Sequence, residues 1–172
     1  YKGIYSGTVS DIGGFSLNHH KHIQTGEGGI IVTNNKNLYE KCKLIRNHAE
    51  VTVGNIKSKN KFALLNMIGE NFRMGEIEAA IGIEQLKKLK KIIENRQSVA
   101  KKIINGLKGL KGLKIPSTEF GNTNSYYVLP LVVDTKIIKT KRDQIVSSLN
   151  KIGLECFFGG YLNLHRLPTY EH

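Results

Sequence analysis

The chain has 172 residues, 40% hydrophobic and 23% charged, which fits a globular protein with one core or parts of two and excludes a disordered tail. No apolar run approaches the roughly 18 residues needed to cross a bilayer, and the opening "YKGIYSGTVSDIGG" lacks the layout of a signal peptide. The formal net charge of +12 points either to a polyanion partner or to a solvated lysine face.

In chain order, "DIGGFSL" reads as a short strand, followed by a polar turn and a second strand, "GGIIVT". Ile30, Ile31 and Val32 are apolar on successive residues, the pattern of a strand buried on both faces. Asn34 and Asn35 offer N-cap side chains to a helix starting near Lys36, with Leu38, Cys42 and Ile45 as its core stripe. Residues 47–71 have no sustained period and read as a long loop. From Met74 apolar residues recur at three- and four-residue steps as far as Ile104, which predicts a bent helix or two helices, their apolar positions packed in a core. The lysines of this stretch fall on the outer face, so the solvated-face account of the charge is preferred.

"LKGLKGLKIP" ends the helix through its glycines and Pro116, and a domain boundary is placed between about 107 and 123. Residues 1–107 form one part and 108–172 another. In the second, "SYYVLPLVVD" reads as a strand with Pro130 at an edge or bulge, "KRDQIVSSLNKIG" as a helix ending at Gly153, and "LECFFGGYL" as a returning strand. That order is β-α-β in an α+β segment. Cys42 and Cys156 lie far apart in no metal or redox spacing and read as free thiols of a reducing cytoplasm.

The residues that suggest chemistry are in "SLNHHKHIQTGEGG", Ser16 to Gly29. A lysine at the tip of a turn between buried strands has a desolvated stem, and desolvation disfavours the ammonium form. A neutral amine can attack a carbonyl and form a Schiff base, as in enzymes that use pyridoxal 5'-phosphate (PLP). Ser16, five residues earlier, offers a hydroxyl to a phosphate. On spacing alone, an ordinary surface amine is the default for Lys21. His20 and His22 share a face of an extended segment while His19 does not, and no carboxylate or thiolate cluster completes a tetrahedral set, so no metal is expected.

Two longer blocks carry a resemblance. "SDIGGFSLNHHKHIQTGEGGIIVTNN" resembles the active-site lysine segment of the DegT/DnrJ/StrS family of PLP-dependent nucleotide-sugar aminotransferases. "LIRNHAE" followed by "IGENFRMGEIEAAIGIEQLKKL" is similar to that family's Gly-x-Asn-x-Arg-Met segment and the long helix after it. "LNLHRLPTY" resembles a weaker C-terminal signature. The resemblance implies an α/β chain: the back part of the large PLP-binding domain of the aspartate-aminotransferase-like fold, plus a small α+β C-terminal domain.

It also implies roles. Lys21 would hold PLP through a Schiff base and act as base and acid in the proton shift. Ser16 would hydrogen-bond the PLP phosphate, and Asn71 would reach the phosphate in the neighbouring subunit of a homodimer. Arg73 is either a substrate-phosphate contact or a structural ion pair, and His165 lies near the sugar or packs. The implied reaction passes an amino group from an amino acid, glutamate, to a nucleotide-linked keto-sugar. A branch of dehydratases carries histidine in place of the lysine; this chain keeps Lys21, which favours transamination. The resemblance further implies that upstream elements are absent: a phosphate-binding turn, a stacking aromatic and the Asp that pairs the pyridinium nitrogen. The 172 residues alone are therefore expected to be inactive. The rival from another class is a basic polyanion-binding module, which would need aromatics interleaved with its lysines.

Overall fold

The computed structural model describes residues 1–50, 67–154 and 163–170. Strands β1 (Gly13–Ser16) and β2 (Gly29–Val32) pair antiparallel, with Gly13 opposite Val32 and Ser16 opposite Gly29. A 3-10 turn at Ser6–Thr8 lies against β1 so closely that a Cβ on Gly13 would sit 1.7 Å from the Gly7 carbonyl oxygen. The expectation of a strand buried on both faces is corrected: Ile30 and Ile31 are exposed, Ile31 at 60%, and Val32 is half-buried. Among the described residues the sheet has two strands.

Helix α1 (Lys36–Arg46) starts where the sequence predicts. Asn35, rather than Asn34, is the cap, its Oδ1 accepting from the N–H groups of Asn37 and Leu38 at 2.9 and 3.2 Å. Such a cap stabilises a helix by about 1 kcal/mol. The inward stripe differs from expectation, because Leu44 is the buried residue while Leu38 and Cys42 are half-buried and Ile45 is exposed.

Beyond α1 the chain turns back on itself. Asn47 and Asn71 form an antiparallel bridge, flanked by His48 N–H to Glu70 O at 2.9 Å and Phe72 N–H to Arg46 O at 2.9 Å. The turn holds two successive non-glycine residues left-handed, His48 and Ala49, each at φ 56°. A left-handed alanine pays about 1 kcal/mol that glycine does not. Ala49→Gly is therefore expected to raise stability by about 1 kcal/mol, read as a higher midpoint in urea unfolding. Most of the long loop expected over 47–71 lies outside the described residues.

Helix α2 (Glu76–Leu107) is one helix of 32 residues, not two, and about 48 Å long. Glu76 and Glu78 in its first turn complement the helix dipole. Lys87, Lys88, Lys90, Lys91, Lys101 and Lys102 are all exposed, as a solvated face requires. Core packing of its apolar positions holds only in part, with Leu89, Ile92, Ile93 and Ile104 half-buried. Ile77 is 75% exposed, Leu86, Val99 and Ile103 are exposed, and Ala100 is the one fully buried residue of α2.

The chain divides into two compact units, Tyr1–Lys102 with Thr118–Leu129, and Ile103–Ser117 with Pro130–His172. In the second, β3 (Leu113–Lys114) pairs antiparallel with β4 (Val132–Val133). Helix α3 (Thr135–Ile138) is capped by Asp134, and α4 (Arg142–Lys151) ends at Gly153, φ +85°, in the left-handed position foreseen. The strand expected over 125–134 shrinks to Val132–Val133, since Tyr126 is left-handed at φ 50° and residues 124–127 bond to side chains instead of a strand partner. The returning strand at 154–162 falls almost wholly outside the described residues. No described helix is long and apolar enough to cross a membrane.

Candidate active site

The turn between β1 and β2 is built from its own backbone. Leu17 N–H donates to Gly28 O and Thr25 N–H to Leu17 O, both at 2.9 Å, extending the hairpin past the strand ends. Leu17 and Thr25 are buried, and Thr25 Oγ1 donates to Glu27 O at 2.6 Å. Gly26 (φ +83°) and Gly28 (φ +150°) take conformations that only glycine adopts without strain. Gly28 also lies beside Met74: a Cβ there would meet Met74 Cε at 3.2 Å. Gly82 of α2 faces Thr25 equally closely. The "TGEGG" turn is thus wedged against the start of the long helix.

Asn18 ties Ser16 to Lys21. Its N–H donates to Ser16 Oγ at 3.2 Å, and its carbonyl accepts from Lys21 N–H at 2.9 Å. Its amide also donates to Glu27 Oε1 at 2.7 Å, pinning one side of the turn to the other. Lys21 is half-buried, and its Nζ lies over the ring of Tyr127, 4.3 Å from the centroid. Among the described residues Lys21 makes no ion pair.

The histidines divide. His22 Nε2–H donates to Ser125 O at 2.8 Å, which fixes that nitrogen as the protonated one. His19 and His20 lie ring to ring, 3.7 Å between centroids. Among the described residues no three His, Cys, Asp or Glu groups gather as a metal site.

Asn71 and Arg73 belong to a second cluster in the same unit. Asn71 is exposed on the bridge strand, and Arg73 Nη1 donates to Oδ1 of buried Asn47. That bond is neither an ion pair nor a substrate contact. His165 is exposed in a 3-10 turn (Leu164–Arg166) of the second unit. Sequence reasoning missed Asn18, Asn47 and Tyr127. Asn18 carried a usable signal, an Asx residue opening a turn; the other two act across long sequence separations.

Lys21 thus sits in the turn of a hairpin, with Ser16 closing the first strand and the long helix packed against the turn. Residues 1–172 match the DegT/DnrJ/EryC1/StrS aminotransferase family, and the chain belongs to that family. It is 30% identical to a GDP-perosamine synthase of Vibrio cholerae over 96% of this chain and 42% of that one. An aminotransferase of Helicobacter pylori involved in the biosynthesis of pseudoaminic acid superimposes with TM-score 0.79 at 29% identity, over 99% of this chain and 44% of that one. A GDP-4-keto-6-deoxy-D-mannose-3-dehydratase of E. coli, solved with bound hydrated PLP, gives TM-score 0.74 at 30% identity over 88% and 41%. The chain spans less than half the length of these relatives.

Proposed function

We propose that the protein to which this chain belongs transfers an amino group from an amino acid, glutamate, to a nucleotide-linked keto-sugar, with PLP as cofactor. The observation that carries the reading is the Lys21 turn: an amine without a carboxylate partner among the described residues, tied through Asn18 to a serine hydroxyl. The donor set fits a phosphorylated aldehyde. Ser16 Oγ accepts from Asn18 N–H, so its own proton remains available for a phosphate oxygen. Lys21 Nζ is the nucleophile for the aldehyde carbon.

Bound PLP supplies an electron sink for the carbon that loses its proton. This chain's residues do the rest. Lys21 holds the cofactor and moves the proton at Nζ, and Ser16 anchors the phosphate. Asn71, exposed on its bridge, reaches the phosphate in the partner subunit of a homodimer with shared sites. Arg73 orients that segment through Asn47. Residues 1–107 make up the back of the large PLP-binding domain and 108–172 the small domain, with Thr118–Leu129 of the latter grouped in the first compact unit. The setting is cytoplasmic biosynthesis of amino sugars for surface polysaccharides.

Lysine rather than histidine at position 21 favours this over the sugar-dehydratase reading. The test supplies the full-length protein with PLP, glutamate and nucleotide-linked keto-sugars. The expected products are 2-oxoglutarate and an amino-sugar nucleotide in equal amounts. A deoxy-sugar nucleotide formed with loss of water would identify a dehydratase instead.

A further inference from the structure

Tyr127 has no role in the reading above, yet its ring lies under Lys21 Nζ, 4.3 Å away at the centroid. The segment that presents it is held unusually firmly. Tyr126 is left-handed at φ 50°, a conformation a tyrosine adopts only where its surroundings impose it. Here they do. Asn124 Oδ1 accepts from Tyr126 N–H at 2.8 Å, and Arg96 Nη1 of α2 donates to the carbonyls of Tyr126 and Tyr127 at 3.1 and 3.4 Å. Gln97 Nε2 donates to Asn124 O at 3.0 Å, and His22 donates to Ser125 O from the lysine turn itself. Four side chains thus fix four consecutive residues that carry the Tyr127 ring under Lys21 and within 6.1 Å of the His22 ring.

We propose that Tyr127 is a positioning residue that seats the Lys21 ammonium on its ring face whenever Nζ carries a proton and is not bonded to the cofactor. An aromatic face attracts a cation by about 0.5–2 kcal/mol and leaves a neutral amine nearly unaffected. The seat therefore acts at one point of the cycle, when Nζ has taken a proton and must return it without swinging into solvent. A phenyl ring does this as well as a phenol; an aliphatic side chain does not. The catalytic consequence rests on the aminotransferase reading, whereas the seat itself does not.

Two measurements on the full-length protein test it. The lysine amines are reductively methylated with ¹³C-formaldehyde before PLP is added, and the Lys21 resonance is assigned from its loss in Lys21→Arg. The ring face is expected to move that resonance upfield of the exposed lysines, Tyr127→Phe to keep the displacement, and Tyr127→Leu to abolish it. No displacement in the unsubstituted protein, or an unchanged one in folded Tyr127→Leu, overturns the seat. In the amino-transfer assay, kcat is expected to fall about 2- to 30-fold in Tyr127→Leu, with KM held and Tyr127→Phe within about twofold. A lost displacement with unchanged kcat overturns the positioning role. If the unsubstituted protein transfers no amino group, the proposed function fails, and the resonance still decides whether the seat exists.

Discussion

Replacing Lys21 with alanine is expected to lower amino-group transfer by about 10²- to 10⁴-fold or more, the range lost when a positioned proton-transfer group is removed. Stability is expected to fall by no more than about 0.5–2 kcal/mol, the worth of the cation–π contact with Tyr127, because Lys21 is half-buried and carries no ion pair among the described residues. Lys21→Arg separates charge from reactivity. A guanidinium keeps a cation over Tyr127 but does not deprotonate, so it neither attacks an aldehyde nor moves a proton. Arginine should therefore be as inactive as alanine in a kcat measurement. Activity retained by arginine would mean that position 21 contributes charge alone.

Gly69→Ala is the second large effect, and it acts through backbone. A Cβ at Gly69 would sit 2.2 Å from Ala49 N, 2.7 Å from His48 C and 2.9 Å from Leu44 O. None of these is the movable end of a side chain, so the whole turn after α1 must shift. The expected cost is about 3 kcal/mol, the upper end of overpacking, read as a lowered midpoint in urea unfolding. Ala49→Gly does not rescue it, because the clash is with the Ala49 amide and not its methyl. Gly14→Ala is the control: no atom lies within 4 Å of a Cβ there, and the cost should vanish or reverse. The same shift would break the Asn47–Asn71 bridge and misplace Asn71 and Arg73. PLP retention should fall while Lys21 remains open to modification.

The features legible in the sequence are those that depend on neighbours in the chain. The Asn35 cap, the Gly153 helix stop and the glycines of the lysine turn each follow from local backbone chemistry, and all three hold. The lysine face of α2 was legible for the same reason, since period and charge sign coincide. Burial was not. An apolar run such as Ile30–Val32 reports that a face is apolar, not what lies against it, and with two strands in the sheet Ile30 and Ile31 stay exposed. The apolar positions of α2 follow the same logic.

The candidate site was half legible. Ser16, Lys21 and the "TGEGG" turn sit within one short segment, and their mutual placement follows from a hairpin. Tyr127 was hidden because "SYYVLPLVVD" has the composition of a strand, and β-propensity speaks for packing on a pleated surface. Arg96 and Gln97 bond the carbonyls of residues 124–127 instead, and a left-handed Tyr126 replaces the pleat. Nothing local to either sequence announces that pairing. Arg73 is similar: its hydrogen bond to buried Asn47 joins residues 26 apart, and nothing local to its motif announces it.

The most direct test of the account is chemical trapping. The full-length protein is incubated with PLP, reduced with borohydride, digested and mapped by mass spectrometry. The account predicts one phosphopyridoxyl group, on the peptide containing Lys21, and its absence from Lys21→Ala. A reduced adduct on another lysine with Lys21 unmodified, or no adduct at all, would contradict it.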